Sequence, residues 1–232
     1  MESNETSEDH RTRTAERRRD AMRKRLVESA MVIFSDKGAD AAVIDDIIKA
    51  ADVSRGTFYK YFDSTQALMV AISEELGNEL LWLVETQVIN VKRPDQRIAL
   101  GLTLFMETAR TYPLYAAFTR KVGLDTVGPA MLINLFLPPH VKQGIAEGRF
   151  IDRPLSVHLD LMTGCVLLCI ARMTNETIST RHIAEVVASI MRGMGVPEAQ
   201  ADQLAAVDVK PIALPHDSLL ARSQQRLENV SA

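Results

Sequence analysis

Apolar positions in this chain recur every three to four residues, and no stretch of useful length alternates apolar and polar in period two. The first spacing gathers side chains on one helix face and the second would mark a strand, so the pattern predicts an all-α fold. Leu26, Ala30, Ile33 and Phe34 share one such face, and Gly38 is placed to end that helix. Ile44, Ile47, Ile48 and Ala51 form a second, shorter face. Asp52-Val53-Ser54 interrupts it, and Ser54 can cap a third short helix through Tyr61. Ser64 can cap a long fourth helix along Leu68, Ile72, Leu76, Leu80 and Leu83.

Prolines punctuate the remainder. Pro94 opens a helix that ends at Tyr112-Pro113, and Pro113 opens another through about Lys121. Pro138-Pro139 is expected to interrupt or kink the next, because proline has no N–H and its ring crowds the preceding turn. Pro154 opens a helix to about Thr174 that is apolar nearly all round from Leu161 to Ala171, which predicts a buried central helix. Thr180 is expected to cap the next, striped by Ile183, Val186, Val187, Ile190, Met191 and Met194, and Pro197 starts a short last one. Residues 1–13 and 207–232 read as flexible termini. The division expected between them is a three-helix head over 14–66 and a larger helical body over 67–206.

At 232 residues, with 47% hydrophobic and 25% charged side chains, the chain can bury a sizeable core and is not of disordered or collagen-like composition. The net charge of −3 conceals an asymmetry: residues 10–25 hold eight Arg or Lys against Glu16 and Asp20. A basic segment on an acidic chain suggests one surface for a polyanion. Two cysteines, Cys165 and Cys169, are too few for a disulfide framework in a chain of this size, which favours a reducing cytoplasm. The polar start MESNETSEDH lacks the apolar core of a signal peptide, and the run Leu161–Ala171 is too short to cross a bilayer. A cytoplasmic location without a membrane partner is expected.

The stretch Ile44–Phe62 carries the chemistry. Two short helices joined by three residues make a helix-turn-helix, whose second helix can enter a DNA major groove. Phe58, Tyr61 and Phe62 are spaced to pack inward, leaving Arg55, Gly56, Thr57, Tyr59 and Lys60 outward. Arg and Lys neutralise phosphate, a tyrosine hydroxyl donates to phosphate oxygen, and threonine reaches base edges or a thymine methyl. Gly56 permits close approach to the strand. The candidate DNA contacts are Arg17, Arg18, Arg19, Ser54, Arg55, Gly56, Thr57, Tyr59, Lys60, Tyr61 and Gln66.

The run LVESAMVIFSDKGADAAVIDDIIKAADVSRGTFYKYFDSTQAL, Leu26–Leu68, resembles the DNA-binding module of the tetracycline-repressor (TetR) family. Phe34, Gly38, Ile47, Val53, Ser54, Gly56, Thr57, Phe58, Tyr59, Phe62, Ser64 and Leu68 match that pattern. Departures matter too. Val43 stands where the family usually has a capping Thr or Ser, Asp52 where it has Gly, Gln66 where a Lys commonly meets phosphate, and Asp45 at a position often basic. These changes remove positive charge from the docking face, and the Arg11–Arg25 run is a candidate to compensate.

The resemblance implies a homodimeric transcriptional regulator, most simply a repressor released from a palindromic operator by a small, largely apolar effector. It also implies that residues 154–174 and 180–194 meet their counterparts in a four-helix interface, for which Leu159, Val166, Ile170, Ile183, Val187, Ile190 and Met194 are the candidates. The competing reading is a DNA-binding or architectural protein without an effector. Candidate ligand contacts are Trp82, Phe105, Met106, Tyr112, Tyr115, Phe118, Met131, Leu135, Phe136, Met162 and Met173, with Arg120, His158 or Thr163 as polar selectors. Cys165 and Cys169 share a face but have no further ligand nearby, so no metal or other cofactor is expected. Without a nucleophile elbow or a phosphate loop, the sequence points away from an enzyme.

Overall fold

The computed structural model describes residues 2–38, 44–123 and 133–231. Among them are eleven helices and no strand. The helices are α1 (Glu2–Lys37), α2 (Ile44–Ala50), α3 (Arg55–Tyr59), α4 (Thr65–Val88), α5 (Pro94–Arg110), α6 (Pro113–Val122), α7 (Ile133–Ala146), α8 (Leu155–Arg172), α9 (Thr180–Gly193), α10 (Glu198–Ala205) and α11 (Leu219–Ser231).

The expected punctuation sets most boundaries. Gly38, at φ +86°, ends α1 with its N–H on Phe34 O, a conformation that a side chain would strain. Ser64 Oγ accepts from Ala67 N at 3.0 Å and starts α4. Pro94 and Pro113 sit in the first turns of α5 and α6. The N-cap of α9 is Ser179, which accepts from His182 N, and not Thr180 one residue later.

Four expectations are corrected. Helix α1 begins at Glu2, so the supposed leader is helical and continuous with the docked part of α1 that follows it. The interruption expected at Pro138-Pro139 does not occur, because α7 runs through both. The carbonyls deprived of a donor belong to Asn134 and Leu135, both exposed residues that water can serve. Helix α8 is not a buried central helix. By length and composition it is apolar enough to cross a membrane, yet only 28% of it is buried. The segment from residue 207 onward is docked: Ile212 N donates to Thr108 Oγ1 at 2.9 Å, Leu214 N to the Tyr112 hydroxyl at 3.1 Å, and Leu219 and Leu220 are buried.

One continuous apolar core runs from Leu26 in α1 to Leu220 in α11. Helix α1 packs on α2, α4, α6 and α11, while α5 is surrounded by α4, α7, α8, α9 and α10. A polar node closes one end of α5. Buried Asp95 accepts from Arg93 at 2.6 Å and Gln200 at 2.8 Å, with Arg149 Nη1 at 3.5 Å, so that α10 and the turn before α8 are fastened to the start of α5. Gly144, near the end of α7, lies so close to the Phe150 ring in that turn that a Cβ would sit 2.1 Å from it.

Candidate functional site

Helices α2 and α3 form the expected helix-turn-helix. The turn between them depends on Asp52, which adopts φ +51°, a left-handed conformation that Asp tolerates better than most residues. Arg25 Nη2 donates to Asp52 O at 2.9 Å and Arg226 Nη2 to Ala50 O at 2.7 Å, satisfying carbonyls at the end of α2. Ser54 caps α3: its Oγ accepts from Thr57 N at 3.0 Å and lies 2.9 Å from Thr57 Oγ1.

Buried Phe58 and Phe62 anchor α3 with their rings 6.2 Å apart, and the Arg23 guanidinium lies over Phe62 at 5.7 Å. Outward from that anchor point Arg55, Gly56, Lys60 and Tyr59, the last 50% exposed, while Thr57 is half-buried. Arg17, Arg18, Arg19 and Gln66 are exposed as well. Three candidates have other engagements. Arg55 is ion-paired with Asp45 of α2, so its charge is partly spent on holding the two helices in register. Ser54 is occupied as the cap, and Tyr61 is half-buried against the core. Val43 lies outside the described residues.

The body contains a partly open cavity of about 110 Å³ lined by α4, α5, α6, α7 and α8. Of the ligand candidates, Phe105, Tyr115, Phe118, Phe136, Met162 and Thr163 line it. Met106 is core, Trp82 stacks on Phe136 from the exposed side, Leu135 faces solvent, and Tyr112 holds Leu214; Met173 does not line it. The two charged selectors are corrected. Arg120 bonds to Thr174 and Asn175, and buried His158 lies with Nε2 3.1 Å from Ile151 O. Met131 lies outside the described residues. Sequence reasoning missed Glu85, Arg97 and His140, which form a polar end to this cavity. Cys169 is buried, which pushes its thiol up and makes it a filler.

The dimer candidates are also corrected. Ile170, Ile183, Val187, Ile190 and Met194 are all fully buried within the protomer, Val166 lines the cavity and Leu159 is half-buried. The single apolar stripe of α9 is consumed by α5 and α10. The uncovered apolar face is on α8, where exposed Val157, Gly164 and Leu168 follow one another at helical spacing, Leu168 being 59% exposed.

A helix-turn-helix head with an outward polar α3 is joined to a helical body. Residues 26–72 match the family described as bacterial regulatory proteins, tetR family. The chain is similar to the uncharacterised HTH-type transcriptional regulator YvdT of Bacillus subtilis (strain 168), 46% identical over 52 residues, or 22% of this chain and 27% of that one. It is 29% identical over 106 residues to an uncharacterised HTH-type transcriptional regulator of Mycobacterium tuberculosis (strain CDC 1551 / Oshkosh), covering 44% and 50% of the two chains. The chain thus spans between a quarter and a half of these relatives' lengths. The crystal structure of RolR in complex with resorcinol superposes with a TM-score of 0.65 over 85% of this chain and 99% of that chain at 20% identity, which establishes the shared fold.

Proposed function

We propose that this protein is a homodimeric, cytoplasmic repressor that reads a palindromic operator and is released from it by a small, largely apolar effector. The observation that carries the reading is the outward set on α3. Gly56, Thr57, Tyr59 and Lys60 stand over the buried Phe58 and Phe62, so the helix can enter the major groove without disturbing its anchor. In this reading residues 14–66 are the DNA-reading head and 67–206 the body, to which the docked segment up to α11 adds. The basic residues Arg17, Arg18 and Arg19 supply phosphate contacts that Asp45 and Gln66 do not.

The uncovered face of α8 suits a second copy of the chain, which would place two α3 helices roughly 34–36 Å apart on one face of the duplex. An effector that fits the cavity better in one head spacing than another lowers operator affinity by that differential binding energy. The cavity favours this reading over an architectural protein without an effector. That RolR was crystallised with a small ring compound supports the same size of ligand here.

The test is a gel shift with DNA upstream of the protein's own coding region, with and without a panel of lipophilic compounds. The expected result is a salt-sensitive shift that one or more compounds abolish. No shift at low salt overturns the regulator reading. A shift indifferent to every compound favours the architectural one.

A further inference from the structure

The body cavity is apolar over most of its wall, with Leu76, Leu102, Phe118 and Met162 among its lining. At about 110 Å³ it approaches an engineered apolar cavity of about 150 Å³ that accommodates benzene, so it has room for one ring. Its polar groups are unequal. Ser73 donates to Met69 O at 2.9 Å, and the buried Tyr115 hydroxyl is bonded to Thr119, so neither needs a partner from a ligand.

The remaining polar end is different. Glu85 from α4, Arg97 from α5 and His140 from α7 converge there. Arg97 Nη2 donates to Glu85 and its Nη1 to Ile89 O at 3.1 Å, while its Nε is buried with no acceptor. His140 Nε2 stands 3.9 Å from Glu85, beyond hydrogen-bond range. Burial and the adjacent Arg97 push the imidazole below its ordinary range, which favours its neutral form. The charges of Glu85 and Arg97 cancel, so this end offers donors and acceptors with no net charge.

That balance selects among single-ring molecules. A bare hydrocarbon would leave the buried Arg97 Nε unpaired. A carboxylate would lose its hydration and sit against Glu85. A neutral hydroxyl does neither, because its oxygen accepts from Arg97 or His140 while its proton goes to Glu85 or the unprotonated imidazole nitrogen. We infer that the effector is a neutral, single-ring compound whose hydroxyl seats at the Glu85–Arg97–His140 end of the cavity. This rests on the proposed role of the cavity as the effector site and names the chemistry it selects.

Calorimetry on the full chain at pH 7.5 with phenol, toluene and benzoate tests it, beside the gel shift. Phenol is expected to bind at least tenfold more tightly than toluene or benzoate and to release the DNA. In the double variant Glu85→Gln/Arg97→Met, phenol should lose its advantage over toluene while toluene still binds, which shows that the cavity survives. Equal binding of phenol and toluene, or tighter binding of benzoate, overturns the hydroxyl inference and leaves the effector site standing. If none of the three binds but larger lipophilic compounds release DNA, the ring-sized inference falls alone. If no compound binds or releases DNA, both fall.

Discussion

Arg222 in α11 donates through Nε to Glu28 Oε1 in α1 at 2.6 Å, joining residues 194 positions apart. Both side chains are largely shielded, and the contact does not stand alone. Leu219 N at the start of α11 donates to Glu79 in α4, and Arg226 reaches Ala50 O at the end of α2. A single C-terminal helix therefore touches the first helix, the helix-turn-helix and the long helix that leads into the body.

Removing either member of that pair should weaken the whole fold. Arg222→Ala or Glu28→Ala is expected to lower stability by about 1.5–3 kcal/mol, the range for a hydrogen bond to a charged group. The double variant should lose little more than either single one, since the interaction is already gone. Urea denaturation of the four proteins measures it. Additive losses would show that each residue acts through other contacts.

On the DNA-facing side, Lys60→Ala and Tyr59→Phe alter exposed groups above an intact anchor. Both are expected to weaken operator binding with unchanged thermal stability. Lys60→Ala should also reduce the slope of log affinity against log salt by about one unit, the signature of a single phosphate contact. Fluorescence anisotropy across a salt series reads both quantities.

The apolar face of α8 and the stripe of α9 separate interface from core. Leu168→Glu places a charge on the uncovered face and should yield a folded monomer with greatly reduced affinity for the full operator. Val187→Glu puts one into the protomer core without a partner and should unfold the chain, at about 3–5 kcal/mol or more. Sedimentation and circular dichroism on both variants distinguish these outcomes. A dimeric Leu168→Glu protein would move the interface elsewhere.

Asp95 predicts a pH dependence. Burial alone would raise its carboxyl, but the hydrogen bond from Arg93, with help from Gln96 N–H and Arg149, holds it below the ordinary carboxylate value. A carboxyl depressed in the folded state adds stability above its unfolded pKa and surrenders it as pH falls through the lower folded value. The stability gap between the parent and Asp95→Asn, about 2 kcal/mol at pH 7, should therefore begin to narrow as pH falls below about 4. Urea midpoints at pH 7, 5 and 3 check it, and a gap as wide at pH 3 as at pH 7 would contradict the assignment.

The head was legible because its signals are local. Ser54, Ser64 and Gly38 announce their turns, and the inward spacing of Phe58 and Phe62 leaves the outward set by subtraction. The polar end of the cavity was not. Glu85, Arg97 and His140 come from three helices, and no spacing in the sequence brings them together. The dimer face was misread for a related reason: a stripe such as Ile183, Val187 and Ile190 records that something covers it, without saying whether α5 or a second copy does. The docking of α11 was hidden because Ile212, Leu214, Leu219 and Leu220 are scattered among prolines and charges, and their partners lie in α1, α4 and α5.

The contact between α11 and α1 also bears on how the chain matures. At a synthesis rate of about 5–20 residues per second, Arg222 leaves the ribosome roughly 10–40 seconds after Glu28. The helix-turn-helix emerges long before α11 exists to brace it, so through most of translation Glu28 has no Arg222 to meet and the Ala50 carbonyl no Arg226. The head can gather its own core around Leu26, Phe34, Phe58 and Leu68 in that interval, and α1 can settle on α4 and α6 before α11 is made. A ribosome stalled between Val122 and Leu219 would hold a head already seated on the body but without the brace that α11 adds.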